Sequence, residues 1–153
     1  MNIENIAELR SDIHKFIRLF GLLEQNVTPC GYPLSVSKVH ALQELENASL
    51  SITELSRKLH LERSSVSRLV DALVKENLIC REVNESNRKE TILTLSDKGL
   101  RSVSQIRSQS IKFYQDVLAP LSYDDRVQIY EAFKKFNGAL HQYRGKGLKH
   151  EPF

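Results

Sequence analysis

The chain has 153 residues, of which 41% are hydrophobic and 27% charged; this excludes wholesale disorder and suits one domain, or one small domain with a dimerisation appendage. It has no apolar run of about 18 residues, and its start, Met1 to Asn5, lacks a basic and apolar leader, so neither a membrane span nor a signal peptide is expected. With only Cys30 and Cys80, a reducing cytoplasm is expected rather than a disulfide scaffold, and the net charge of +3 permits a nucleic-acid partner without demanding one.

Ile3, Ile6, Leu9, Ile13, Phe16, Ile17 and Phe20 recur at mostly three- and four-residue steps, which predicts a long amphipathic helix. Thr28-Pro29-Cys30-Gly31-Tyr32-Pro33 breaks it, because two prolines and a glycine cannot continue a helix. A second helix is predicted over residues 35–46, burying Val39, Leu42 and Leu45. Ser51 and Glu54 have capping-box spacing, so a short helix should start at Ile52, bury Ile52, Leu55 and Leu59, and stop near His60. After a tight turn, Val66, Leu69, Val70, Leu73 and Val74 mark the buried stripe of a further helix. Asn77 stands where a left-handed residue should end it.

From Leu78 the period changes. Residues 78–83 and 91–95 are short and rich in β-branched side chains, and they flank the polar stretch 84–90, so they predict a hairpin with a solvated tip. Cys80, inside the first strand, is expected to be a small buried hydrophobe. Ser96 should cap a helix that runs towards Leu118 and is stopped by Pro120. Ser122 and Asp125 open a last helix with Ile129, Phe133, Phe136 and Leu140 on one stripe, and the end, residues 145–153, is expected to fray.

Two short helices, a tight turn and a hairpin describe a winged helix-turn-helix. The fold class is mainly α with a small β-hairpin wing, flanked by N- and C-terminal dimerisation helices. The expected divisions are 1–33 for the first helix and loop, 34–95 for the winged domain, and 96–153 for the helices completing the dimerisation region. The helix after the tight turn presents Ser64, Arg68, Asp71 and Lys75 opposite its apolar stripe, with Ser65 on the flank. Small hydroxyls let a backbone approach phosphates and base edges, and Arg68 is long enough to reach guanine O6 and N7 in a major groove. The hairpin tip carries Arg88 and Lys89 on a thin projection suited to a minor groove. The candidate DNA contacts are therefore Arg63, Ser64, Ser65, Ser67 and Arg68 on the helix, with Asn87, Arg88 and Lys89 on the tip. The plainer reading is that the serines are caps and the arginines solvated; the ordered series of elements outweighs it. Asp71 either pairs with Arg68 at i, i+3 or lies beyond the groove.

From Leu34 to Gly99 the sequence resembles the MarR family of winged-helix transcriptional regulators. The carrying residues are Leu34-Ser35 with Leu42 and Leu45, the run Thr53 to Leu59, the run Ser64 to Leu73, Leu78-Ile79-Cys80-Arg81, Arg88, and Leu95-Ser96-Asp97-Lys98-Gly99. The resemblance implies a homodimer made by the first and last helices, bound to a near-palindromic operator on double-stranded DNA. It places the recognition-helix residues in the major groove and Arg88 in the minor groove. It also implies repression relieved by a small aromatic or phenolic effector, for which Phe16, Phe20, Tyr32 and His40 are candidate ligand contacts or else plain core.

Three positions depart from the family pattern. The usual wing Asp-x-Arg is Ser86-Asn87-Arg88, which removes the carboxylate that would hold the arginine; the glycine after the recognition helix is Asn77; and the cap before that helix is Glu62.

Other readings carry less. No glycine-rich phosphate loop, nucleophile elbow or paired-cysteine spacing is present, so no enzyme, cofactor or metal is expected. A metal-sensing variant would have to bring Cys30, His40 and Glu44 together, and a redox sensor would use Cys30 or Cys80. A winged-helix module for protein contact without DNA is opposed by the basic wing and the serine-rich helix. The sequence names no target gene and no effector.

Overall fold

The computed structural model describes residues 1–145; the expected frayed end beyond Gly145 lies outside the described residues, as does His150. The order is α1 (Ile3–Phe20), α2 (Val36–Asn47), β1 (Leu50–Ser51), α3 (Ile52–Leu59), α4 (Arg63–Lys75), β2 (Ile79–Val83), β3 (Thr91–Leu95), α5 (Asp97–Leu118) and α6 (Tyr123–Gly145). Residues 1–112 form one compact unit and the described residues from 113 onwards a second, with α5 continuous across the boundary.

In the first unit the core is built from one stripe of each short helix. Val39, Ala41, Leu42 and Leu45 of α2 meet Leu55 of α3 and Val66, Val70 and Leu73 of α4. Leu50, Leu78, Ile79 and Leu93 close the core from the sheet side, and Val103 and Ile106 from α5. Ile52 and Leu59 are half-buried against this core rather than inside it. The sheet has three antiparallel strands in the order β1-β3-β2, one more than the hairpin expected from sequence. β1 is only Leu50–Ser51, pairing Leu50 with Leu93 and Ser51 with Ile92, too short to show any alternation.

The predicted stops and caps recur as geometry. His60 and Asn77 take left-handed conformations at φ 54° and 58° after α3 and α4, whereas α1 stops earlier than the predicted break at 28–33, at Gly21 with φ 81°. At Ser51 the capping box is complete: the Ser51 N–H donates to Glu54 Oε2 (2.8 Å), and the Glu54 N–H donates to Ser51 Oγ (3.2 Å).

These bonds from Ser51 hold the Glu54 carboxyl below its ordinary pKa, with Arg57 and Lys58 adding attraction. A depressed carboxylate contributes stability that is present above its unfolded value and lost as pH falls through its folded value. Ser51→Ala should cost about 1 kcal/mol in urea denaturation. Glu54→Gln should be less stable than the parent at neutral pH, the gap closing in acid; a pH-independent gap would refute the assignment.

Side chains of α1 are all at least partly exposed, including Ile6, Leu9 and Phe16. In the second unit every residue of α6 is exposed, among them Ile129, Phe133, Phe136 and Leu140. Ser122 caps α6, accepting from the Asp125 N–H (3.1 Å), while Arg126 donates to the carbonyls of Ala119 and Leu121 (2.9 and 3.0 Å).

Candidate nucleic-acid interface

α4 turns Val66, Val70 and Leu73 into the core, so the 3.6-residue period leaves Ser64, Arg68, Asp71 and Lys75 exposed on the opposite face. Arg63 is exposed too, whereas Ser65 and Ser67 are half-buried on the flanks. Glu62 stands at the N-cap without accepting a bond from the helix, so its side chain does not satisfy the first-turn amides beside Ser64 and Ser65. Among the described residues Arg68 has no ion-pair partner. Asp71 instead pairs with Arg81 of β2, which settles the alternative left open by its i, i+3 spacing to Arg68. That pair ties α4 to β2 and leaves the Arg68 guanidinium available.

The wing tip is ordered by its asparagines. The Asn84 N–H donates to the Glu90 carbonyl (3.0 Å) and Asn84 Nδ2 to Glu90 Oε2 (3.2 Å), closing the base of the loop. The Ser86 N–H donates to Asn84 Oδ1 (3.0 Å), and the Lys89 N–H to Asn87 Oδ1 (3.3 Å). Asn87, Arg88 and Lys89 are all exposed at this tip. Asn87, a predicted contact, thus uses its side-chain oxygen to shape the loop. The clamp closes the loop through Asn84, Asn87 and Glu90 without holding the Arg88 side chain, and its signal in the sequence was the Asn-rich composition of the loop.

Cys80 is exposed, not a buried hydrophobe. β2 is an edge strand paired only with β3, and it buries Ile79 alone, so the period of two turns Cys80 away from the core. Cys80→Ser should therefore change unfolding free energy by no more than about 0.5 kcal/mol. A loss of several kcal/mol in urea denaturation would contradict this placement. Cys30 is half-exposed in the loop before α2, its Sγ 3.1 Å from Thr28 Oγ1 and its carbonyl accepting from Gln109 Nε2 of α5 (2.7 Å). Among the described residues no three His, Cys, Asp or Glu side chains are placed to hold a metal ion, so Cys30, His40 and Glu44 do not form such a group.

Of the candidate effector residues, Phe16 and Phe20 stack with ring centroids 4.9 Å apart. Tyr32 is partly buried against the core and donates its hydroxyl to Gln105 Oε1 of α5 (3.4 Å). His40 lies at the surface of α2, yet partial burial of its ring lowers its pKa, an effect that Glu44 opposes.

Comparison with known proteins gives three concordant findings. The model described as "MarR family" matches residues 34–91. An uncharacterised helix-turn-helix-type transcriptional regulator of Bacillus subtilis, YvnA, is 30% identical over 93 residues, 59% of this chain and 56% of its own length. A putative transcriptional regulatory protein for the hcr operon of Thauera aromatica is 26% identical over 89 residues, 58% of this chain and 54% of its own. The chain thus spans a little over half the length of the curated relatives it matches. Among solved structures, the PcaV transcriptional regulator of Streptomyces coelicolor superposes with a TM-score of 0.66 at 18% identity, covering 93% of this chain and 99% of that one. Bordetella bronchiseptica BpsR, whose DNA binding is regulated by 6-hydroxynicotinic acid, gives 0.65 at 16% identity, covering 87% of this chain and 98% of that one. At these identities the superpositions establish the winged-helix fold.

Proposed function

We propose that this chain, whose residues 34–91 match the MarR family model, is a sequence-specific DNA-binding repressor acting as a homodimer on a near-palindromic operator in the cytoplasm. The observation that carries the proposal is the outward face of α4. Arg68 has no ion-pair partner among the described residues, its neighbours Ser64 and Arg63 are exposed, and Asp71 is occupied by Arg81. In this reading Arg63, Ser64, Ser65, Ser67 and Arg68 meet the major groove, while Asn87, Arg88 and Lys89 meet the minor groove. Residues 34–95 read the DNA; residues 1–33 and 96–153 bring two copies together through the exposed apolar stripes of α1 and α6. A small aromatic effector, of the class that regulates BpsR, would meet the stacked Phe16 and Phe20 together with Tyr32 and His40.

The test is selection from random duplexes followed by titration at two salt concentrations. Specific binding to a two-fold site, falling steeply with salt, is the expected result; no selected site, or a salt-independent interaction, would refute the reading. Arg88→Ala should weaken binding to many sequences together and lower the salt slope by about one phosphate-equivalent, with preference altered mainly at A·T-rich flanks. Asn84→Ala, which opens the clamp beneath the tip, should reproduce part of that loss. If Arg88→Ala leaves every affinity unchanged, the wing does not touch DNA.

A further inference from the structure

The recognition helix does not end free. Three consecutive carbonyls at the α4–β2 turn are taken by residues 96–98, at the start of α5. Lys98 Nζ donates to the Glu76 carbonyl (2.8 Å), Ser96 Oγ to the Asn77 carbonyl (2.6 Å), and the Ser96 N–H to the Leu78 carbonyl (3.1 Å). The Gly99 N–H returns to Ser96 Oγ (3.0 Å), closing the first turn of α5 on the same hydroxyl. The approach is close enough that a Cβ on Gly99 would lie 2.0 Å from the Leu78 carbonyl oxygen. From the other side, the Glu76 carboxylate pairs with Lys38 of α2.

We propose that Ser96 and Lys98 are positioning residues for DNA binding, which set the recognition helix on α5 although neither belongs to the DNA-facing surface. This rests on the reading of the chain as a dimeric DNA-binding protein. The core already holds α4 against α2 and α3 through Val66, Val70 and Leu73, so the helix itself does not need this joint to form. What the joint adds is a fixed attachment of its last turn to a helix that runs on into the second compact unit. In a dimer that grips two half-sites at once, both recognition helices must stand at one separation, and affinity for the pair exceeds affinity for either half-site only if that separation holds. Lys98 is exposed, so removing its ammonium should cost the fold little.

The experiment uses the full chain, with Lys98→Met, Lys98→Arg and the parent measured on three kinds of duplex: the selected operator, operators with the half-site spacing changed by single base pairs, and a duplex with one half-site. Lys98→Met should bind the operator about tenfold more weakly and respond less sharply to spacing, with binding to the single half-site and the melting temperature unchanged. Lys98→Arg, which keeps a donor in reach of the Glu76 carbonyl, should restore the parent's spacing profile. The proposal is overturned if Lys98→Met matches the parent at every spacing. It is equally overturned if it loses half-site and operator binding alike with a lowered melting temperature, which marks a purely structural role. Failure of the parent to select any DNA would instead sink the DNA-binding reading, and this role of the joint with it.

Discussion

Removal of residues 1–20 is expected to abolish the dimer and leave a chain that aggregates or unfolds. The eighteen residues of α1 contribute nothing to the buried core of the first unit, so their loss opens no cavity among α2 to α5. They do carry an apolar stripe in which Ile6 is 52% exposed, with Leu9 and Phe16 also at the surface. α6 carries a second stripe, with Phe133 48% and Leu140 44% exposed. Helices so apolar on one face are stable in water when that face is covered, and a second copy of the chain supplies a matching pair. Without the partner, two-half-site binding falls to the level of one half-site, a loss of about 100-fold or more. Sedimentation velocity and operator titration on the truncated chain provide the check. A soluble truncated monomer that binds the operator as the parent does would rule out dimerisation through α1.

Arg68→Ala should cost about 1–3 kcal/mol of operator binding, roughly 5- to 150-fold, and relax sequence preference at one position of each half-site. The loss is expected to be base-specific because Arg68 stands beside Ser64 in the front half of α4, where a side chain meets base edges, and its guanidinium is not spent on Asp71. By contrast, Arg81→Ala would leave the Asp71 carboxylate unpaired to repel phosphate, so that substitution should weaken binding across sequences without changing preference. Binding curves on the operator and its single-base variants separate the two patterns. Unchanged affinity of Arg68→Ala on all of them would refute the recognition-helix assignment.

Near-neighbour chemistry made much of this protein legible in its sequence. The Ser51 and Glu54 box, the left-handed Asn77 and the apolar steps of α1 and α4 all depend on groups within a few residues of one another. Periodicity and capping act over that range, so residues 34–91 announced both their fold and which face of α4 turns away from the core. Tertiary structure decided what depends on partners far along the chain. β1 exists because Leu50 and Ser51 find β3 some forty residues later, a pairing that two residues cannot signal. Asp71 chose Arg81, ten residues away on a strand, over Arg68 on its own helix. Cys80 faces outwards because the pleat that buries Ile79 turns its neighbour to the opposite face, and nothing in the composition of a strand encodes that no element among the described residues covers that face of β2. The joint at Glu76, Asn77 and Leu78 is of the same kind: its donors lie 18 to 22 residues downstream, and only the close approach of Gly99 to Leu78 brings them within bonding distance.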